Sequence, residues 1–203
     1  MTHYTPLVER KSRILEHIPF DMKWIESEPE KQCWTTDPES WNKKAPVPFR
    51  QISKGEISLC HKHIEVYKDI VANKHSVTLI LEDDVILADD FVALFNRNIE
   101  QTPKDWDYIF IGSGCGLRIN PNLVIPEKIA YKKDHPATKC TDSYCITFSA
   151  AKRVLDTIIP FSLPIDFELN YQLERHDMNV YWWEPPIVIQ GSQCGLYDSE
   201  LQG

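Results

Sequence analysis

Three consecutive carboxylates, Glu82-Asp83-Asp84, follow directly on the apolar run 77–81. Carboxylates crowded at the end of a buried strand repel one another, which costs stability unless solvent or a cation screens them. A hard divalent cation such as Mg2+ or Mn2+ takes oxygen ligands and commonly bridges a carboxylate to substrate phosphates. Alternation along an extended segment places Glu82 and Asp84 on one side and Asp83 on the other. Two readings stay open here, a cation site and a solvated acidic loop of the kind that Asp89-Asp90 shows the chain tolerates. Two further acidic residues, Asp166 and Glu168, follow Pro164 where a helical pattern begins. A carboxylate at a helix N-terminus stays ionised and able to accept a proton, or simply caps the helix.

Basic and backbone-forming residues complete the chemical inventory. Arg10, Lys11 and Arg13 lie close together near the amino terminus, either facing an anion or forming a solvated basic turn. Gly112-Ser113-Gly114 admits a close backbone approach to a ligand or makes a turn. His63 falls on the apolar side of a helical pattern, where a buried, hydrogen-bonded histidine is the commoner case. Gln190-Gly191-Ser192 follows the last strand-like segment and stands where a site would be completed.

The elements that must position these residues follow from periodicity. Residues 58–72 carry Leu59, His63, Val66, Tyr67, Ile70 and Val71 at helical spacing. Residues 77–81, 106–112 and 143–148 read as buried strands. Helices are expected over 89–99, with Asp89 or Asp90 as cap, after a Ser149 cap, and over 164–176 with Asp166 opening it. Short strands are expected at 180–183 and 187–189. Strands alternating with helices predict an α/β sheet with helices on both faces, and a ligand site at the carboxyl ends of its strands. Residues 26–48, with Cys33, Trp34 and Trp41 among charged residues and prolines, read as an irregular excursion. The whole of 1–203 is expected to form one domain, with 1–50 as an opening segment and excursion and 51–192 as the core.

Composition narrows the partners. Thirty acidic residues against 22 basic ones leave a formal charge of -8, which disfavours nucleic acid and anionic membrane. The same balance is awkward for a diphosphate ligand unless a cation intervenes. No run of about 18 apolar residues is present, so no transmembrane segment is expected, and residues 1–13 do not resemble a signal peptide. Six cysteines without a CxxC or a paired rhythm predict reduced thiols in a cytoplasmic chain.

Several segments together resemble glycosyltransferase family 25. They are Gly55-Glu56-Ile57, His63, LILEDDV (79–85), WDYIFIG (106–112), SYCITFSAAKRVL (143–155), LPIDFELNYQL (163–173) and WEPPIVIQGS (183–192), in order over about 52–192. TPLVERKSRILEHI (5–18) is loosely similar to the family's opening segment. The resemblance implies a GT-A-type Rossmann-like fold, Mn2+ or Mg2+, a UDP-sugar donor such as UDP-galactose, and inverting transfer to a hydroxyl of a glycan or hydroxylated protein. It places Glu82-Asp83-Asp84 at the DxD position, with Asp84 on the metal and Glu82 on the ribose or the metal's waters. Asp166 aligns with a Pro-x-Asp segment as the base, with Glu168 as its substitute. Arg10, Lys11 and Arg13 would meet the donor's phosphates or base, and Gly112 and Ser113 its sugar. Ser58-Leu59-Cys60-His61-Lys62 departs from the bacterial members and leaves donor choice open. Trp34, Trp41, Tyr144, Trp182 and Trp183 suit sugar stacking, with core packing as the default. A non-catalytic nucleotide-sugar or glycan-binding member and a metal-dependent hydrolase are the rivals; a hydrolase is weakened by the lack of clustered histidines.

Overall fold

A computed structural model describes residues 1–26, 52–133 and 140–198. The expected excursion, with Cys33, Trp34 and Trp41, lies largely outside the described residues. The elements run α1 (Val8–His17), α2 (Lys54–Asn73), β1 (Val77–Leu81), β2 (Val85–Leu87), α3 (Phe91–Gln101), β3 (Tyr108–Phe110), β4 (Ala130–Lys132), β5 (Ser143–Thr147), α4 (Phe148–Leu155), α5 (Ile165–Arg175), β6 (Val180–Trp183) and β7 (Val188–Gln190).

Five strands form a mixed sheet in the order β1-β5-β3-β6-β4. Strand β5 runs antiparallel to both β1 and β3, β3 and β6 are parallel, and β4 is antiparallel to β6. The carboxyl ends of β1 and β3 therefore meet the amino end of β5 at one edge of the sheet. Alternation along the strands sends Ile80, Phe110, Tyr144 and Trp182 toward α2, α4 and α5. Leu81, Ile109, Cys145 and Trp183 face α1, α3 and the separate β2–β7 pair. Helices thus cover both faces, in a GT-A-like Rossmann arrangement.

Local chemistry sets the helix ends. Ser53 and Glu56 form a reciprocal capping box, Glu56 N–H donating to Ser53 Oγ at 3.2 Å and Ser53 N–H to Glu56 Oε2 at 2.8 Å. Four orphan amides at a helix start make such a pair worth about 1 kcal/mol, and it starts α2 before the predicted 58. Three expected caps are corrected. Thr147, not Ser149, caps α4 by accepting from Ala150 N–H. Helix α3 starts after Asp90 without a side-chain cap, and Pro164 precedes α5, leaving Asp166 in its first turn.

The amino terminus packs beside β1. Thr2 N–H donates to Leu81 O at 2.9 Å, and Ile25 N–H to Met1 O at 2.8 Å. This short extended pairing carries His3 and Tyr4 to the end of β1. Among the described residues no helix is long and apolar enough to cross a membrane.

Candidate active site

Each carboxylate after β1 meets a different neighbour. Glu82 Oε1 accepts the Thr141 hydroxyl at 2.7 Å and lies 3.4 Å from His63 Nε2. His63 Nδ1 is 2.7 Å from the Tyr144 hydroxyl, itself 2.8 Å from the Tyr67 hydroxyl. These three rings are fully buried, so Glu82 is steadied by a dry polar chain running from α2 through β5. His63 belongs to that chain and supports the site from behind.

Asp83 anchors the amino terminus. Its Oδ2 is 2.8 Å from His3 Nδ1 and accepts Tyr4 N–H at 3.1 Å, and its Oδ1 accepts Arg10 Nη1–H at 3.2 Å. Burial alone would raise its pKa, but the His3 bond, the Tyr4 amide and Arg10 outweigh it and hold the carboxyl below the usual range. Both oxygens take bonds from protein groups, so Asp83 ties the amino terminus to the end of β1.

Asp84 is the strained member. Ser192 Oγ–H donates to its Oδ2 at 2.6 Å, while Oδ1 is buried without a hydrogen-bond partner. Burial first, and then the charge of Glu82, push its pKa up to about 6. An orphaned carboxylate oxygen facing another carboxylate's charge is the electrostatic setting that a cation relieves. Among the described residues no three His, Cys, Asp or Glu side chains converge closely enough to hold an ion alone. Mg2+-type sites take one or two carboxylates and complete their shell with substrate phosphates and water.

Two clefts adjoin here. The first, enclosing about 640 Å³ of space including its open mouth, is lined by Glu82, Asp83 and Asp84, the 2–4 segment, Arg10 and one face of α2. Gly55, Ser58, Leu59 and Lys62 line it at helical spacing. The second cleft holds Asp166 and Phe167 from α5, with Cys140 and Thr141. Leu59, Glu82 and Gln190 belong to both, so the clefts share a wall. Gln190 Oε1 is buried there without a hydrogen-bond partner. Burial first, opposed by a hydrogen bond from the Phe167 amide, raises the Asp166 pKa, and the charge of Glu82 raises it further. This corrects the expectation that the helix N-terminus would dominate its protonation.

Other candidates stand elsewhere. Glu168 is buried away from both clefts, accepting Ser162 N–H at 3.3 Å and Gln172 Nε2–H at 3.0 Å. Two residues along a helix turn a side chain through about 200°, so it cannot substitute for Asp166. Lys11 pairs with Glu26 and lies over Trp24, 4.8 Å from the ring centroid. Arg13 donates to the Tyr197 hydroxyl at 2.6 Å. Neither is brought to the first cleft. Arg10 does line it, but binds Asp83 and donates to Asp198 O at 2.6 Å, with Tyr197 stacked at 4.8 Å.

Gly112 and Ser113 also line neither cleft. Ser113 N–H donates to Val188 O at 2.9 Å. Gly112 makes room for Asp142, since a Cβ there would fall 2.1 Å from Asp142 Oδ2 and 2.3 Å from Ser143 Oγ. Asp142 is 1% exposed, accepts Ser143 Oγ–H at 2.8 Å, and keeps Oδ1 unpartnered. Burial pushes its pKa well above the carboxylate range, with Glu82 and Asp84 adding to the shift.

Sequence reasoning missed Lys62, Thr141, Asp142 and Tyr197. Lys62 had a readable signal, the 55-58-59-62 spacing. Thr141 and Asp142 had none, because the antiparallel direction of β5 is not written in its residues. Trp182 and Trp183 lie in the sheet core, as the default reading held.

A Rossmann-like sheet carries carboxylates at its strand ends beside two adjoining clefts, the place where such sheets bind ligands. The family model "Glycosyltransferase family 25 (LPS biosynthesis protein)" matches residues 20–169, and the chain belongs to that family. It is 25% identical over 185 residues to mouse procollagen galactosyltransferase 2, covering 85% of this chain and 29% of the relative. The human protein of that name is 27% identical over 141 residues, 67% of this chain and 22% of the relative. Human "inactive glycosyltransferase 25 family member 3" is 24% identical over 161 residues, 73% and 26%. The chain thus spans less than a third of the length of each of these relatives.

Proposed function

We infer that this chain catalyses metal-dependent, inverting transfer of a sugar, galactose, from a UDP-sugar to a hydroxyl of a glycan or hydroxylated protein. The observation that carries this reading is the shared wall at Glu82, with Glu82 and Asp84 facing one cleft and Asp166 the other. A donor seated in the first cleft and an acceptor in the second would meet at that wall. The family and the printed names of the procollagen galactosyltransferases support the sugar and the acceptor class.

The residues divide the work as follows. Asp166 accepts the proton of the acceptor hydroxyl at its carboxylate, and its raised pKa makes it a better base than an ordinary aspartate. Thr141 and His63 hold Glu82 at the wall between donor and acceptor. Lys62 brings positive charge to the cleft where the diphosphate would lie, while Arg10 there is already paired with Asp83. Asp84 and Glu82 would hold Mn2+ or Mg2+, whose contribution when bound is neutralisation of charge on the departing diphosphate.

The names of the inactive relatives favour a second reading, a member that binds donor without turnover. The presence of Glu82, Asp84 and Asp166 in this chain weighs against it. Calorimetry with UDP-galactose, UDP-glucose and UDP-N-acetylglucosamine, with and without Mn2+, tests the donor, and UDP release in the presence of acceptors tests turnover. Manganese-dependent binding that Asp84→Ala abolishes supports the donor site. Binding without UDP release selects the non-catalytic reading, and no binding by a folded chain removes both.

A further inference from the structure

At the rim of the second cleft, two cysteines far apart in sequence come together. Cys115 lies in the single turn Gly114–Gly116 after β3, and Cys140 lies two residues before Asp142 at the entry to β5. Their sulfurs are 2.7 Å apart. Both residues hold left-handed backbone, with φ of 57° at Cys115 and 64° at Cys140. A residue with a Cβ seldom adopts that conformation, and each instance costs on the order of 1 kcal/mol. Two such residues with abutting sulfurs are held by the surrounding fold in a geometry that neither would choose alone.

We propose that Cys115 and Cys140 are a thiol pair built to close as a disulfide, which cross-links the turn after β3 to the wall of the second cleft. The co-reactant is a small-molecule disulfide of the glutathione type. The Cys115 thiolate, on an exposed residue, attacks one sulfur of that disulfide, forming a mixed disulfide and releasing one small thiolate. The Cys140 thiolate then attacks the Cys115 sulfur, and the second small thiolate departs. The protein loses two electrons and two protons, and the small disulfide gains them as two thiols. Burial raises the Cys140 thiol, and its hydrogen bond with Cys115 adds to the shift. That shift disfavours the Cys140 thiolate, so the order of events rests on geometry: exposed Cys115 meets the small disulfide first, and Cys140, 2.7 Å away, is placed to resolve it.

The cross-link would act on Thr141, the next residue, whose hydroxyl holds Glu82. Closing the pair stiffens the segment that sets the shared wall, and opening it lets that segment relax. The bond itself does not depend on the transferase reading. The remaining described cysteines lack such a neighbour arrangement: Cys60 donates to Leu163 O, Cys194 to Gly191 O, and Cys145 is fully buried.

The test equilibrates the full chain in graded mixtures of oxidised and reduced glutathione, traps free thiols by alkylation, and maps the peptides by mass spectrometry. The expected product is a Cys115–Cys140 linked peptide that forms reversibly and is absent from Cys115→Ser. The linked protein should unfold at a temperature raised by roughly 5–10 °C, as closure of a loop of this size implies. The double variant Cys115→Ser/Cys140→Ser, folded by circular dichroism, should show no such redox-dependent shift. Both thiols remaining alkylatable across the series, a stable mixed disulfide at Cys115, or linkage to a different cysteine would each overturn the proposal.

Discussion

Thr141 donates its hydroxyl to Glu82 Oε1 at 2.7 Å, and through that bond the entry to β5 fixes the acidic end of β1. The two residues face one another because Leu81 pairs with Ser143 and Glu82 N–H donates to Asp142 O at 2.8 Å. Register in the antiparallel ladder, more than the acidic motif alone, decides where the carboxylate points.

Thr141→Val keeps the shape and removes the donor. Stability in urea should fall by about 1 kcal/mol, and transfer should slow roughly tenfold as Glu82 loses its fixed orientation. A variant with wild-type transfer would show that the bond is structural only.

Asp84→Asn should stabilise the protein as pH rises. Its folded pKa of about 6 exceeds the ordinary value of 3.8. The folded chain therefore binds more protons than the unfolded chain between those values, and stability falls as pH climbs through that window. Asparagine removes the penalty. Melting in chelator at pH 4 and pH 8 should give a variant advantage that appears only at the higher pH, on the order of 2 kcal/mol. An advantage independent of pH would contradict the assignment.

Gly112→Ala should be costly for a reason of space. The new methyl would meet Asp142 and Ser143 at under 2.5 Å, and displacing them should cost about 1–3 kcal/mol. Gly116 has φ of 64° and nothing near its missing side chain, so Gly116→Ala should cost only about 1 kcal/mol through backbone strain. Equal losses in urea unfolding would remove the packing argument.

Asp166→Asn and Glu168→Gln should separate catalysis from folding. The first should lower kcat by about 10²–10⁴ with the melting temperature little changed. The second should lower the melting temperature while kcat persists, because Glu168 serves Ser162 and Gln172 in the core. Loss of kcat in Glu168→Gln at unchanged stability would reverse the roles.

The sheet was readable from sequence wherever apolar runs were long. Strands β1, β3, β5 and β6 appeared at their expected places because runs such as Tyr108–Phe110 are buried throughout. Strands β2 and β4 were not read, although β3 and β7, also three residues long, were. Helix α2 was legible in its apolar stripe, while its start depended on the Ser53–Glu56 pair two turns away from that stripe. In the site, Glu82, Asp84 and Asp166 were legible as acidic residues at element ends. What Glu82 and Asp84 touch was not, because Thr141 and Ser192 arrive from remote segments. Arg10, Arg13 and Lys11 show the same limit: they bind Asp83, the Tyr197 hydroxyl and Glu26, partners that no local pattern reveals.

The shared wall at Leu59, Glu82 and Gln190 carries a thermodynamic consequence. A molecule seated in either cleft would become part of the lining of its neighbour, so occupancy of one would alter affinity at the other. Linkage makes that influence mutual: whatever factor the first ligand imposes on the second, the second imposes on the first. Such coupling would pass through three side chains and would require no movement of the sheet.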